Sequence, residues 1–178
     1  MPFFSYQSVP EIFQSDLNRY SALAQLIQII LRRESALPPK ERELIAAYVS
    51  GLNACGYCCS IHEAIALNLD LDPALLEAIL QDPMTAPIEE RLRPILLLVQ
   101  KLTLMGSKVT PEDIQTVIQA GWSERAVQDA IEVCALFNFM NRLVDGYGLE
   151  VPGSEQLNGI TEMVNTHGYI VPLTGKAL

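Results

Sequence analysis

The sequence has little positive charge and no long apolar run. Among its 178 residues, 12 are Lys or Arg and 21 are Asp or Glu, which gives a formal net charge of -9. A chain this acidic has no basic surface to neutralise phosphates, so we expect no nucleic acid as a partner. No apolar run reaches the roughly 18 residues that span a bilayer, and the first residues lack a basic segment followed by an apolar one. We therefore expect a cytoplasmic protein with no membrane partner.

Histidine and cysteine are also scarce, with 2 and 4 residues respectively. Three of the cysteines fall within residues 55–59, and Cys134 stands alone. In the cytoplasm this clustering favours redox chemistry or a metal site over a framework of permanent disulfides. Zinc needs a second Cys or His pair at ligand spacing, yet apart from Cys59 and His62 only Cys134 and His167 remain. We predict no metal and no cofactor.

The pattern of apolar residues predicts an all-α protein, with one domain over residues 1–178. Hydrophobic residues make up 49% of the chain, which is enough for a core. No stretch shows sustained period-two alternation, so we expect at most a strand pairing in the tail. Helical spacing predicts helices over about residues 9–33, 40–52, 54–67, 73–80, 92–105, 111–121, 124–147 and 155–165.

Proline, capping and glycine residues set several of these boundaries. Pro39 suits the first turn of the second helix, and Asp72 is a cap before a proline at the first helical position. Ser123 can cap the helix of residues 124–147, and Gly148 suits its left-handed closing position. Gly106 is expected to end the helix before it.

The residue pattern that points to chemistry is Cys55-Gly56-Tyr57-Cys58, followed by His62. On a helix, Cys55 and Cys58 (i, i+3) and Cys58 and His62 (i, i+4) are neighbours along one face. A thiolate in the first helical turn is favoured by the partial positive charge of unpaired N–H groups, which predicts a lowered pKa. The imidazole can take or return the proton.

A disulfide across this short span suits redox cycling better than structural stapling. The closed loop is so small that the bridge gains only roughly 2 kcal/mol of loop-closure entropy. Cys59 points about 100 degrees away from Cys58 around a helix and is predicted to be a core residue. Cys134, on an apolar face, is predicted to be the same, and His167 is predicted to lie at the surface.

The run from Glu43 to His62 resembles the AhpD-like alkylhydroperoxidase branch of the carboxymuconolactone decarboxylase superfamily, especially its peroxidase-related members. The run joins Glu43, which lies twelve residues before Cys55, to the cysteine pair and to His62. The run of residues 137–145 also resembles that family's C-terminal helix. The resemblance spans about residues 37–148.

The resemblance implies a helical fold, trimers or hexamers, and a hydroperoxide reductase that works through its cysteines. It implies that Cys58 attacks the peroxide to give a sulfenic acid and that Cys55 then condenses with it to form a disulfide. Glu43 and His62 would form a proton relay. A dithiol reductant, such as a dihydrolipoyl protein, would restore the thiols.

One position departs from the family pattern, and one has a second interpretation. The family has a second histidine directly before the second cysteine, where this chain has Tyr57. A phenol titrates near pH 10 and is a poor base at neutral pH, so a shorter relay and weaker peroxidase turnover are expected. Glu43 lies near the start of its helix, where an acid can simply favour the helix dipole.

Two further functions stay open at this point. The superfamily includes decarboxylases and other lactone-type enzymes, which do not need the cysteine pair. A non-enzymatic redox sensor, in which the disulfide changes the shape or the assembly of the protein, would need the pair but no peroxide turnover.

Overall fold

The computed structural model describes residues 2–170, and these residues form nine α-helices and no strand. The predicted all-α class is confirmed. A strand in the tail is not found up to residue 170, and residues 171–178 lie outside the described residues. The helices are α1 (Val9–Ser15), α2 (Leu17–Arg32), α3 (Pro39–Leu52), α4 (Gly56–Leu67), α5 (Leu75–Gln81), α6 (Arg93–Met105), α7 (Pro111–Gln119), α8 (Glu124–Tyr147) and α9 (Ser154–His167).

Helix α3 is the centre of the fold. Every residue from Arg42 to Ser50 is buried, because α3 packs against α4, α5, α6 and α8. At Gly51 a Cβ atom would lie 2.6 Å from the Leu80 side chain, so a larger residue here would require Leu80 of α5 to shift. A helix buried on all sides has no polar face, and its few charged residues must find partners inside the protein.

The start of α4 lies in a second, smaller apolar cluster. The cluster is closed by α8 on one side and by α9 on another. It places both motif cysteines among aliphatic side chains. Its buried members are Cys55, Tyr57, Cys58, Ile61, Ile65, Val144 and Val164.

The prediction of one long helix over residues 9–33 is wrong. The chain breaks at Asp16, which has φ -151° and ψ 82°, and α2 starts at the next residue. The Asp16 carboxylate accepts a hydrogen bond from the Arg19 N–H at 3.1 Å, so it caps α2. Apolar spacing did not reveal the break, because the two helices each keep an apolar face.

The chain around Pro73 also differs from its prediction. Pro73 lies outside α5, which begins at Leu75. The Asp72 carboxylate accepts a hydrogen bond from the Ala74 N–H at 2.9 Å and closes a turn instead of capping a helix. Asp and Pro favour both structures, so the sequence alone did not separate them.

Several predicted helix ends are confirmed, and others shift. Ser123 accepts a hydrogen bond from the Ala126 N–H at 3.2 Å, and Gly148 closes α8 in the left-handed region with φ 69°. Gly106 is not left-handed, with φ -52°, and the chain continues into a 3₁₀ turn. Helix α9 is longer at both ends than the predicted residues 155–165.

None of the helices in residues 2–170 is both long enough and apolar enough to cross a bilayer. A single domain over all 178 residues stays a prediction.

Candidate active site

A tight turn between α3 and α4 places Cys55 at the start of α4. Ala54 adopts a left-handed conformation with φ 56°. The Cys55 N–H then donates to the Ser50 carbonyl at 2.9 Å. Cys55 is the N-cap of α4, and Cys58 lies in the first turn. The predicted position of the Cys-x-x-Cys motif at a helix start is confirmed.

Both cysteines of the motif are buried thiols. Cys55 exposes 1% of its surface and Cys58 exposes 4%. A hydrogen bond with the Cys55 side chain, together with burial, raises the pKa of Cys58 well above its usual range. The lowered pKa predicted from the helix start is wrong, because the neighbouring thiol and desolvation outweigh the partial charge of the helix end. Cys58 therefore needs a base to become a nucleophile near neutral pH.

The candidate base is His62, whose imidazole pairs with the Glu43 carboxylate. The His62 Nδ1 lies 2.6 Å from the Glu43 Oε2, and the exposed fractions of the two residues are 8% and 0%. The carboxylate contacts an imidazole on α4, so its role is more than the favouring of a helix dipole. Glu43, Cys58 and His62 thus meet where α3 and α4 pack together.

Arg32 and Tyr169 complete the surroundings of Glu43, and the sequence singled out neither. The Arg32 Nη1 donates to the Glu43 Oε1 at 2.5 Å, and the Tyr169 hydroxyl donates to the same oxygen at 2.7 Å. Burial alone would raise the pKa of Glu43, but His62, Arg32 and Tyr169 together lower it. No spacing rule signals them, because Arg32 ends α2 and Tyr169 follows α9.

Helix α8 supplies a further polar side chain that the sequence did not single out. Asn141 is fully buried; its Nδ2 donates to the Ser50 Oγ at 2.9 Å and its Oδ1 accepts from the Asn53 Nδ2 at 2.9 Å. Its amide also hydrogen-bonds to Cys58 and acts to lower the pKa of that thiol, against the larger effects of Cys55 and burial. Asn141 lies in the family-like run of residues 137–145, which gave no sign of this contact.

A cavity of about 90 Å³ opens against Cys58 and His62. Most of its other walls are apolar. The edge of the Phe137 ring faces the His62 ring, with 4.4 Å between the centroids. Cys55 does not line the cavity, so a molecule bound there reaches Cys58 and not Cys55. The further walls include Val9, Phe13, Ile27, Met140, Ile160 and Met163.

The remaining motif and cysteine residues have structural environments. The Tyr57 hydroxyl accepts a hydrogen bond from the Val9 N–H at 3.2 Å, and burial raises its pKa to about 12, so it is not a base. Cys59 packs half-buried against the core, and burial raises its pKa to about 11. Cys134 is buried, and His167 is exposed at the end of α9. The predictions for Cys134 and His167 are confirmed, whereas Cys59, which was predicted to be a core residue, is only half-buried at the edge of the core.

Within residues 2–170, no group of three His, Cys, Asp or Glu side chains is placed to hold a metal ion. The His, Cys and Glu side chains of the candidate active site contact one another instead. His62 turns its Nδ1 to Glu43, and Cys55 and Cys58 hydrogen-bond to each other. The arrangement is suited to moving protons and electrons between side chains.

The comparisons with known proteins agree with this geometry. The sequence profile of the Carboxymuconolactone decarboxylase family matches residues 20–86, which hold the turn and both motif cysteines. A solved structure of an uncharacterized peroxidase-related protein from Silicibacter sp. TM1040 has a TM-score of 0.77 and 28% identity, over 83% of this chain and 76% of that chain. The profile match and the shared fold support the AhpD-like carboxymuconolactone decarboxylase superfamily as the family of this chain.

Within that superfamily, this similarity supports the peroxidase-related branch that the family resemblance implied. Another solved structure, an alkylhydroperoxidase AhpD core of an uncharacterized peroxidase-related protein from Ralstonia eutropha JMP134, has a TM-score of 0.75 and 22% identity, over 82% of this chain and 76% of that chain. At that identity the similarity concerns the AhpD-like fold. A comparison with curated proteins finds no match. Asn141 and Tyr169 lie outside the segment matched by the superfamily profile.

Proposed function

We propose that the protein is a thiol-dependent hydroperoxide reductase in which Cys58 attacks the peroxide and Cys55 resolves the product. The observation that carries the proposal is that Cys58 and His62 line one apolar cavity, while Cys55 lies outside it and hydrogen-bonds to Cys58. A reacting sulfur with a base on one side and a second thiol on the other has the groups needed for a full redox cycle.

In the first half of the proposed cycle, the Cys58 thiol gives its proton to His62. The thiolate attacks the terminal oxygen of the hydroperoxide ROOH, an S–O bond forms and the O–O bond breaks. Sulfur is oxidised to a sulfenic acid, and the peroxide is reduced to an alkoxide. The alkoxide takes the proton back from the imidazolium and leaves as the alcohol ROH.

In the second half, the Cys55 sulfur attacks the sulfenic sulfur of Cys58. An S–S bond forms, and the oxygen leaves as water. An external dithiol, for which a dihydrolipoyl protein is our expectation, then reduces this disulfide by two exchange steps and is itself oxidised. The cycle consumes one hydroperoxide and one dithiol, and yields one alcohol, one water and one oxidised dithiol.

The walls of the cavity favour an organic hydroperoxide over hydrogen peroxide. Phe13, Phe137, Met140 and Met163 surround the space in front of Cys58. An alkyl or aryl group gains free energy when it leaves water for such walls, by about 25 cal/mol per Å² of buried apolar surface. Hydrogen peroxide has no such group to bury.

The proposal is tested by coupling peroxide consumption to the oxidation of dihydrolipoamide, with cumene hydroperoxide and hydrogen peroxide compared as substrates. We expect Cys58→Ser to abolish turnover. Cys55→Ser should allow one turnover and leave a sulfenic acid on Cys58, which dimedone traps for mass spectrometry. Cys59→Ser, one residue along, is the matched control and should keep near-native activity. Unchanged turnover in Cys58→Ser would remove the basis of the proposal.

The same experiments separate the other two functions. A redox sensor would form the Cys55–Cys58 disulfide reversibly but show no catalytic turnover with any peroxide. A lactone-type lyase would act on its substrate equally well when both cysteines are replaced by serine. Assembly as a trimer or hexamer and a cytoplasmic location stay predictions.

A further inference from the structure

We propose that Arg32 and Tyr169 are positioning residues that hold Glu43 as an anion throughout turnover, so that His62 alone carries the proton to and from Cys58. The inference rests on the proposed function and refines it. Family resemblance places Glu43 in a relay that passes protons. The contacts around Glu43 give it a different task, which is to orient and stabilise the imidazole.

The first observation is that both carboxylate oxygens of Glu43 are occupied. Oε1 accepts hydrogen bonds from Arg32 at 2.5 Å and from Tyr169 at 2.7 Å, and Oε2 lies 2.6 Å from the His62 Nδ1. The side chain has no exposed surface. A carboxylate with two fixed donors, one of them a cation, strongly favours its ionised form even when it is buried. A proton arriving on Glu43 would break one of these contacts.

The second observation is the direction of the hydrogen bond to His62. Because an ionised carboxylate only accepts, the His62 Nδ1 must be the donor and must carry a hydrogen. In the neutral imidazole, the free lone pair is then on Nε2. His62 also lines the cavity together with Cys58, so the ring has one nitrogen committed to Glu43 and one left to act as the base.

The third observation is that Tyr169 is held in place by its own contacts. Its backbone N–H donates to the Gln28 Oε1 at 2.8 Å, and the Arg32 guanidinium lies 5.0 Å from the centre of its ring. Gly168 has φ 74°, and a Cβ there would lie 2.5 Å from the same Gln28 oxygen. The pKa of Tyr169 is raised well above its usual range, by burial first and then by Glu43, so the hydroxyl stays protonated and remains a donor.

Within residues 2–170, few other charged groups act on this site from the helices around it. On α3, Arg42 lies close enough to Glu43 for an electrostatic interaction, although its own hydrogen bonds go to the carbonyls of Ile30 and Arg33. On α8, Asp145 acts on Cys58. Among the described residues, α1 and α9 contribute only uncharged side chains to the cavity walls. Arg32 is therefore the cation whose removal changes the Glu43–His62 pair most directly.

The native protein provides the first test, through nitrogen NMR of its histidines. The chain has 2 histidines, so His167→Gln assigns the signals of His62 by elimination. We expect neutral His62 to carry its hydrogen on Nδ1. A predominant Nε2–H form would require Glu43 to be the donor, and therefore protonated, and would overturn the inference.

The second test follows the pH dependence of the His62 signals and of Cys58 alkylation by iodoacetamide. In Arg32→Gln, the carboxylate charge is no longer shared with a guanidinium, so the imidazolium is favoured. We expect the titration midpoint of His62 and the acid limb of the alkylation rate to move upward by about one pH unit. Tyr169→Phe removes only the hydroxyl and should give a smaller shift in the same direction. Arg32→Lys, which keeps the charge, should restore most of the native profile.

The matched control is Arg33→Gln, which removes the neighbouring arginine. Arg33 pairs with Asp129 and Glu132 instead of Glu43. If the role of Arg32 were purely structural, Arg32→Gln would slow alkylation equally at every pH and would leave the midpoint of the pH dependence in place. We expect an unchanged midpoint for the Arg33→Gln control. Unchanged midpoints in both Arg32→Gln and Tyr169→Phe would overturn the inference. If Arg32→Gln does not fold, Tyr169→Phe and the NMR spectrum of the native protein still test the inference. None of these measurements needs peroxide turnover, so failure of the proposed function is recognised separately.

Discussion

The site combines two regions of the molecule that differ in how far apart they lie in the sequence. One region, residues 43–62 of α3 and α4, holds the carboxylate, both thiols and the imidazole. The other consists of Arg32, Asn141 and Tyr169, which come from α2, α8 and the segment after α9. The first region is ordered by helical spacing and one tight turn, and the second only by the packing of the whole fold.

The two regions also do different physical work. In the proposed reaction, the α3–α4 region supplies the atoms that react, and the distant side chains adjust their charge. Arg32 and Tyr169 keep Glu43 ionised, while Asn141 partly offsets the effect of Cys55 and burial on the Cys58 thiol. A peptide with the motif alone would have the same thiols without these adjustments. The motif therefore specifies which chemistry is available, and the distant contacts specify the pH at which it operates.

The largest expected effect comes from Glu43→Gln, which cuts the link between the two regions. The amide carries no charge, so the Arg32 cation, which exposes only 16% of its side chain, loses its counter-charge. This loss should lower the free energy of unfolding by about 3–5 kcal/mol. Because the neutral amide no longer stabilises the His62 imidazolium, peroxide turnover should fall by about 10²-fold. Urea unfolding and steady-state kinetics measure the two effects. Glu41→Gln, on the same helix, is the control; equal losses in the two variants would contradict this account.

A smaller effect is expected from Asn141→Ala, which removes one distant contact and keeps the α3–α4 region intact. The pKa of Cys58 should rise further, because the amide no longer hydrogen-bonds to the sulfur. Each unit of that rise lowers the thiolate fraction about tenfold at neutral pH, and alkylation should slow by the same factor. Ser50 also loses a partner, at about 1–3 kcal/mol of stability.

Asn138→Ala is the matched control for Asn141, because both lie on α8 and both accept a hydrogen bond from Asn53. It should change stability without moving the pH dependence of Cys58 alkylation. If the two variants shift that dependence equally, the contact between Asn141 and the sulfur is not what matters.

The pH dependence of stability provides a third prediction, which isolates the charge of Glu43. Its pKa is lower in the folded protein than the ordinary value of 4.5. The ionised group therefore stabilises the fold fully above that value, and the contribution is lost as the pH falls through the folded pKa. We expect the free energy of unfolding of the native protein to decline more steeply below about pH 4.5 than that of Glu43→Gln. Parallel curves would show that other carboxylates account for the decline.

The smallest expected effects compare two glycines near the C-terminal end of the described chain. Gly168→Ala would place a methyl group 2.5 Å from the Gln28 Oε1 at φ 74°, and should destabilise the fold by about 1–2 kcal/mol while displacing Tyr169. Gly159→Ala, inside α9 with open space around it, should stabilise by about 0.5–1 kcal/mol. Thermal unfolding measures both, and changes of the same sign would contradict the role given to Gly168.

The sequence was sufficient for the parts of the structure that short-range patterns determine. Helical spacing predicted the all-α class, and the capping residues Ser123 and Gly148 predicted both ends of α8. Helical spacing predicted Cys58 and His62 on one face of α4, where both line the same cavity, whereas the pairing of Glu43 with His62 was implied by the family resemblance. These patterns are informative because each involves residues that are close in sequence or that lie on two consecutive helices, α3 and α4.

The sequence was not sufficient where the outcome depends on a balance between distant groups. The direction of the Cys58 pKa shift was predicted wrongly, because the helix start was visible in the sequence and the competing desolvation was not. Arg32 and Tyr169 were missed, since no pattern connects residues so far apart. The break at Asp16 was missed for a related reason: a cap in the middle of an apolar pattern competes with continuation, and tertiary packing decides between them.

That break has a consequence for the shape of the cavity in front of Cys58. A helix running straight through Asp16 would carry Val9 about 12 Å beyond the start of α2, whereas the bend brings Val9 and Phe13 onto the cavity in front of Cys58. Asp16, which does not itself line the cavity, thereby decides which side chains of α1 form its walls. Tuning that bend is a route to widening or narrowing the range of molecules admitted without altering any reacting group.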